Sequence, residues 1–499
     1  MKCTRHDSLF VAMGIVAVLG TGCGAGGSGL ADTATDTGVD GTGDGTVDPD
    51  AMDSPDAPDG TDVIDVPTED VVYEPPTGTW VVSVGGWEFD EASAALATPT
   101  GGALIAGKAY VTHMDHPDIL PLWLGEIGTD GAVAWQVLLG IYDEDRVNSM
   151  APTPDGGVLL AGAASVIEEA EAIYIYDAML IRVDGAGDVQ WARTVGEDGD
   201  DSLDAVIPTT DGAYVTVGWT TEYVGGASSG WMAKVDPDGA ILWQEYVQES
   251  GHDQLHGVVE TTGGDLLVVG ETDSGAVGGT DLLVLRTTTD GAVVWQKILG
   301  GTGDERGLAI AATADGGLVA VGSTRSAGPG WWNALIVRMD GDGAVSWQRV
   351  LGGDGNDTAS AVLEHTDGSL LVAGDTSPSL DAQTWLIGLS ATGDVISQTS
   401  LGVAGYGDTG TMLAGYDGTH VVHVASTSSN AGDILVSRTG REGAVEGCSL
   451  HASTTAATVD PGWTVQDGTL TIAGSYLATA SETVHTWTSD LPAARLCPE

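Results

Sequence analysis

An all-β fold, a single β-propeller of four-stranded blades, is what this sequence predicts, on three observations. Trp191, Trp243, Trp295 and Trp347 recur at steps of roughly 52 residues, each inside a DG-x-x-x-W phrase or a close variant. Between them run alternating or β-branched segments broken by Gly and Asp turns, the signals of strands and hairpins. Beyond the N-terminal apolar run no segment shows a helical period.

One unit serves as the template. "DQLHGVVET" reads as its first strand, "GGDLLVVGET" as its second, "DLLVLRT" as its third and "AVVWQKIL" as its fourth. First strands begin near Glu91, Arg146, Ser202, Gln254, Arg306, Thr358, Thr409 and Thr454. Eight blades are therefore expected. Seven are the alternative, because Ser397 and Gly447 replace the tryptophan in two later units. Radial closure of such units removes long open sheet edges. The last unit lacks a fourth strand, and "GTWVVSVGG", residues 78–86, matches the fourth-strand phrase. It is expected to complete the last blade and close the ring.

Ahead of the repeats lie two further segments. Residues 1–22 have a basic start with Lys2 and Arg5, then an apolar run from Leu9 to Gly20 that is short for a bilayer span. This pattern is an export signal. Residues 23–77 are rich in Asp, Thr, Gly and Pro and contain no Lys or Arg. So few apolar groups and one sign of charge cannot offset ordering entropy, so the segment is expected to be a disordered acidic tether. Residues 78–499 are left for the propeller.

The junction Thr21-Gly22-Cys23 resembles the lipobox of bacterial lipoproteins. The resemblance implies acylation of Cys23 with palmitate-type chains. With Gly24 next, it implies an outer-membrane lipoprotein of a Gram-negative-type bacterium, facing the surface or the periplasm. Plain secretion is the alternative. Of the other cysteines, Cys448 and Cys497 lie in the body of an exported protein and are expected to form a structural disulfide.

The formal charge of −56 leaves no basic surface for phosphates, which excludes nucleic acid as a partner. It equally excludes charge docking on anionic lipids, so the only membrane contact expected is the lipid anchor. Such self-repulsion suits a soluble, unassembled body: a monomer is expected.

The phrases "TPDGGVLLAG" and "DGAVAW" resemble the repeats of secreted bacterial propellers of the kelch-like and quinoprotein-like superfamily. The resemblance covers nearly all of residues 78–499. It implies architecture and leaves activity open.

Propeller topology sorts the loops into two faces. Turns between strands one and two, and three and four, are short and lie at one end. Loops between strands two and three, and between blades, lie at the other and include "TEYVGGASSGW" and "STRSAGPGWW". Binding is expected at this loop face. There Asp90, Asp145, Asp201, Asp253, Glu305, Asp357 and Asp408 share one register before the first strands. Such acids could form a cation ring, with calcium the one cofactor they admit. Alternatively each bonds its own turn, or pairs with the recurring third-strand bases Arg182, Lys234, Arg286, Arg338 and Arg438. Repetition around the ring favours the structural role.

Asn148, Asp204 and His256 share a second register, where an Asp beside a His could hold a ligand, act as a base or simply pack between blades. Trp231, Trp331, Trp332 and Trp385 lie near the loop face and could stack on sugars or cations, or pack. "HMDHPD" fits no zinc spacing. His420 and His423 stand three apart on a strand and so cannot share a metal. No nucleophile elbow, phosphate loop or zinc helix appears. The expected function is non-catalytic: an envelope lipoprotein whose loop face binds a glycan, peptide or protein, with or without calcium. The alternative is a propeller enzyme, either a quinone-dependent dehydrogenase or a polysaccharide lyase or hydrolase.

Overall fold

A computed structural model describes residues 80–84, 90–109, 121–140, 145–168, 173–196, 199–221, 226–248, 251–377, 383–401, 408–416, 420–427 and 434–440, with seven short strands between residues 451 and 495. All belong to one compact unit, residues 72–499. Every regular element among the described residues is a strand, and no helix among them is long and apolar enough to cross a membrane.

The template unit folds as its sequence reads. Asp253–Glu260, Leu266–Thr272, Asp281–Thr287 and Val293–Leu299 pair in order, each antiparallel to the next. Its third strand is apolar without alternation because Leu282, Leu283, Val284 and Leu285 are all buried, half facing each neighbouring blade. The fourth strand is the outermost of these four, and its start is exposed at Val293 and Val294.

Six blades are built this way from four consecutive strands. Blade 1 begins at Asp90, blade 2 at Arg146, blade 3 at Asp201, blade 4 at Asp253, blade 5 at Glu305 and blade 6 at Asp357. Successive blades pack face to face: Leu159, Ala161 and Leu180 of blade 2 meet Leu203, Trp231 and Val235 of blade 3. Each such seam removes a continuous apolar layer from water, the main stabilising term of the fold.

The DG-x-x-x-W phrase has a physical cause that spans two blades. Trp191, Trp243, Trp295 and Trp347 donate their indole N–H to carbonyls of Pro237, Thr289, Gly341 and Ala391, all in the next blade, at 3.0–3.1 Å. The ring then lies over a turn glycine of that blade. A Cβ at Gly239 would come within 2.9 Å of Trp191, and one at Gly393 within 2.9 Å of Trp347. These glycines also sit at positive φ, 81° and 80°, which closes the turn. Glycine and tryptophan recur together because each blade's tryptophan needs the next blade's glycine.

The expected eight blades, or seven, are corrected to six. The segment from Thr454 contains turn-like phrases but makes no blade of its own. Its short strands, with His451–Ser453 just before it, disperse, one to each sheet, as a fifth strand outside the fourth. His451–Ser453 joins blade 6, Ala457–Val459 blade 5, Val465–Asp467 blade 4 and Thr471–Gly474 blade 3. Ala478–Glu482 joins blade 2 and His485–Thr488 blade 1. Strands of three to five residues are too short to hold a hairpin, whereas each can pair with an outer edge that would otherwise be open. The N-terminal strand is corrected with it. Trp80–Val84 does not complete the unit from Thr454: it pairs with Ile434–Gly440, in a further sheet with Asp408–Tyr416, His420–Thr427 and Ala493–Arg495.

Candidate functional site

Every blade places its first strand innermost, and each carries a bulge at the same point. The pairing with the second strand skips Ser93, Asn148, Asp204, His256, Leu308 and Ser360. A bulge re-aims the extra side chain out of the ladder. The register of Asn148, Asp204 and His256 is thus a bulge register, and the structure brings the three together. His256 Nδ1 lies 2.7 Å from Asp204 Oδ2. Ser202 Oγ donates to Asp204 Oδ1 at 2.9 Å, and the Asn148 amide donates to the Leu203 carbonyl at 3.0 Å. Burial disfavours the imidazolium, yet the bond and charge of Asp204, with Glu271 beyond it, outweigh burial and the repulsion of Arg306. His256 therefore titrates above the ordinary histidine value, which favours its cationic form beside Asp204.

The line continues outward at the loop face. Arg306 Nε lies 3.2 Å from Glu271 Oε2, and its guanidinium stands 4.8 Å from the Trp332 ring centre. Arg325 sits 5.1 Å from the Trp331 ring and 5.2 Å from that of Trp332, held by Asp304 Oδ2 at 2.7 Å. Trp331 is 70% exposed. On the other side of Asn148, Arg146 donates to the Tyr176 hydroxyl at 2.9 Å and stacks on its ring. A cavity of about 270 Å³ opens there among Glu91, Ser93, Lys108, Arg146 and Asn148. Guanidinium groups, indoles and the Asp204–His256 pair thus lie at the loop end of a strongly acidic protein.

The tryptophans divide. Trp231 and Trp385 are 1% exposed, and Trp231 stacks on Tyr246 at 6.3 Å between centroids, so both are core. Trp331 and Trp332 are surface groups. Arg306 and Arg325 were not singled out in the sequence. The signal was available: the position after each ring acid reads Glu91, Arg146, Ser202, Gln254, Arg306 and Thr358, and so fails to repeat where its neighbours do.

The acids of the shared register hold the seams. Asp253, Glu305 and Asp357 are buried, and each accepts a hydroxyl hydrogen bond from the cross-strand threonine, Thr272, Thr324 or Thr376, at 2.5–2.6 Å. Glu305 and Asp357 also accept the backbone N–H of Gly301 and Gly353. Asp145 and Asp201 are buried as well, and the strands place Asp90 and Asp408 at the same start. Among the described residues no group of three or more His, Cys, Asp or Glu is placed to hold a metal ion. Four of the five recurring bases, Arg182, Lys234, Arg286 and Arg338, pair elsewhere, at the opposite face, with the turn acids Asp155, Asp211, Asp265 and Asp315 at 2.6–2.9 Å. Cys23, Cys448, Cys497 and the HMDHPD loop lie outside the described residues.

The loops at the seams gather a second set of carboxylates. Asp281, at the start of blade 4's third strand, and Glu305 of blade 5 converge on Gly300: a Cβ there would lie 2.2 Å from Asp281 Oδ1 and 2.5 Å from Glu305 Oε2. Burial, partly countered by the Val277 N–H and reinforced by the Glu305 charge, pushes the Asp281 carboxyl up to about 6. One seam on, Asn333 takes the place of Asp281 and meets Asp357 at Gly352.

No protein-family model matches the chain, and no curated protein matches it. Solved structures do. The polysaccharide lyase Uly1 is 9% identical, with 70% of this chain and 89% of that chain covered and a TM-score of 0.46. A subtype N10 neuraminidase-like protein of A/little yellow-shouldered bat is 9% identical, covering 72% and 97%, TM-score 0.37. Drosophila Plexin A, solved with Semaphorin 1b, is 10% identical, covering 72% and 86%, TM-score 0.40. The likeness is one of fold.

Proposed function

We propose that this protein is an exported, non-catalytic propeller of the cell envelope, anchored through Cys23 and its acidic tether, that binds a glycan through the loop face. The observation that carries the reading is Trp331: a 70% exposed indole beside Trp332, with two guanidinium groups stacked against the pair. An indole left in water loses the burial that usually fixes tryptophan in a fold, and its flat face suits the C–H face of a sugar ring. Arg306 and Arg325 each use few of five N–H donors and can address ligand oxygens.

The test is direct binding of the full chain to a panel of neutral and acidic envelope polysaccharides, in calcium and in chelator. Trp331→Ala is expected to weaken binding by at least about tenfold without moving the melting temperature. Absence of glycan binding under both conditions, or binding indifferent to Trp331→Ala and Trp332→Ala alike, sinks the reading. A propeller hydrolase or lyase is the second reading, favoured by the Asp204–His256 pair at the mouth. It predicts released sugar that disappears in His256→Gln.

A further inference from the structure

Blade 1 departs from its sisters at the turn face, on the side away from Trp331. In blades 2 to 5 a third-strand base, Arg182, Lys234, Arg286 or Arg338, lies opposite the fourth-strand tryptophan and pairs with the turn aspartate. In blade 1 the residue opposite Trp135 is Glu126, and the turn position is Thr100, whose hydroxyl meets that of Thr98 at 2.8 Å. Both members of the ion pair are replaced, and the sign of the buried-side charge is inverted.

The tryptophan responds. Its sisters give their indole N–H to the next blade, whereas Trp135 donates to its own Glu126 Oε2 at 2.7 Å. The seam between blades 1 and 2 then holds a cavity of about 240 Å³. Leu96, Leu104, Val158 and the Trp135 ring line it, with Glu126 as its carboxylate. Asp184 also borders it, but its Oδ1 is bonded to the N–H groups of Ala186 and Asp188 in its own turn. Among the described residues Glu126 has that one indole hydrogen bond and no cation.

We propose that this cavity is a binding site for a compact organic amine, with its ammonium on Glu126 and its apolar body against Leu96, Leu104 and Val158. A half-buried carboxylate beside an indole favours a cation twice over, by charge and through the ring face, and the apolar walls favour a hydrophobic body. The site stands independently of glycan binding at the other face.

Calorimetry on the full chain with phenethylamine and its neutral counterpart 2-phenylethanol tests it. The amine is expected to bind at least about tenfold more tightly than the alcohol, and Glu126→Gln, which keeps an acceptor for Trp135, to remove that preference. The double change Thr100→Asp with Glu126→Arg restores the ion pair of the other blades and is expected to abolish amine binding with melting unchanged or raised. Trp331→Ala is expected to leave amine binding intact. No amine binding at millimolar concentration, equal affinity for amine and alcohol, or amine affinity unmoved by Glu126→Gln overturns the proposal.

Discussion

The two ends of the blades are built from the same strands and behave in opposite ways. At the turn face, blades 2 to 5 repeat one arrangement: base on turn aspartate, tryptophan on the next blade's glycine. At the loop face the seam acids repeat, but the side chains between them do not: Arg146 with Tyr176, Asp204 with His256, Arg306 with Glu271 and Trp332. A feature needed by every seam recurs at every seam, whereas a ligand touches few blades. Repetition marks architecture here, and its local failure marks surface available for recognition.

Two tryptophans offer the largest break in that comparison. Trp231 fills the seam between blades 2 and 3, so Trp231→Ala is expected to cost about 3–5 kcal/mol of unfolding free energy. Trp331→Ala removes no buried contact layer and is expected to stay within about 0.5 kcal/mol. Denaturant unfolding measures both. Equal losses would erase the distinction between packed and presented indoles.

How much of this was legible in the sequence follows the same division. Period, strand order and turn chemistry were readable because they rest on contacts within about one repeat: Asp340 Oδ1 closes the DGDG turn on the N–H of Asp342 and Ala344, with no ligand required. The blade count was not readable at the C-terminus. "QDGTLTIAG" carries the turn and alternation of a blade hairpin, yet Val465–Asp467 and Thr471–Gly474 pair with blades 4 and 3 instead of with each other. Local pattern fixes strand propensity, while the partner is chosen by whichever edge is open. The meeting of Asp204 and His256 was half legible: their shared register was visible, but the bulge that turns them out of the ladder was not. Trp231 and Trp331 could not be told apart because composition does not record which indole lies inside a seam.

Arg338 and Arg325 make the next contrast, both holding an aspartate. Arg338 is nearly buried and bridges Asp315 at 2.9 Å and the buried Glu364 at 3.1 Å. Arg338→Met leaves Glu364 desolvated with no counter-charge and is expected to cost about 3 kcal/mol, read by chemical unfolding at neutral pH. A cost under about 1 kcal/mol would mean that the repeated base contributes little.

Asp281 and Asn333 sharpen the seam comparison through pH. With its folded pKa raised from 3.8 to about 6, Asp281 binds its proton more tightly folded than unfolded. Its contribution is whole below pH 3.8 and is lost as pH rises through 6, an effect on the order of 2 kcal/mol. Asp281→Asn, which copies the next seam, should flatten that part of the stability profile. Asp155, Asp211 and Asp315 pull the other way. Threonine hydroxyls and then Arg182 or Arg338, or for Asp211 first Lys234, hold them down at about 2. Their contribution is whole above 3.8 and is lost as pH falls through 2. Stability is expected to peak between these limbs in the wild type, and to fall less steeply between pH 4 and 6 in Asp281→Asn, where the buried Asp357 carboxyl, also raised, still contributes to the decline. A variant losing stability as steeply as the wild type between pH 4 and 6 would place the titrating group elsewhere.

The smallest effect on folding is expected at Arg325, and there the two ends of the comparison meet. Its pair with Asp304 is short but about one third exposed on each side, a setting in which ion pairs contribute about 0–1 kcal/mol. Arg325→Ala should therefore leave unfolding unchanged within about 0.5 kcal/mol. Its guanidinium plane nevertheless lies against both Trp331 and Trp332 and braces the exposed indoles. Lysine keeps the charge and loses the planar stack. If stacking orders the platform, Arg325→Lys should weaken glycan binding as much as Arg325→Ala does. If only charge matters, the lysine variant should bind like the wild type, and the cation would then serve the ligand directly.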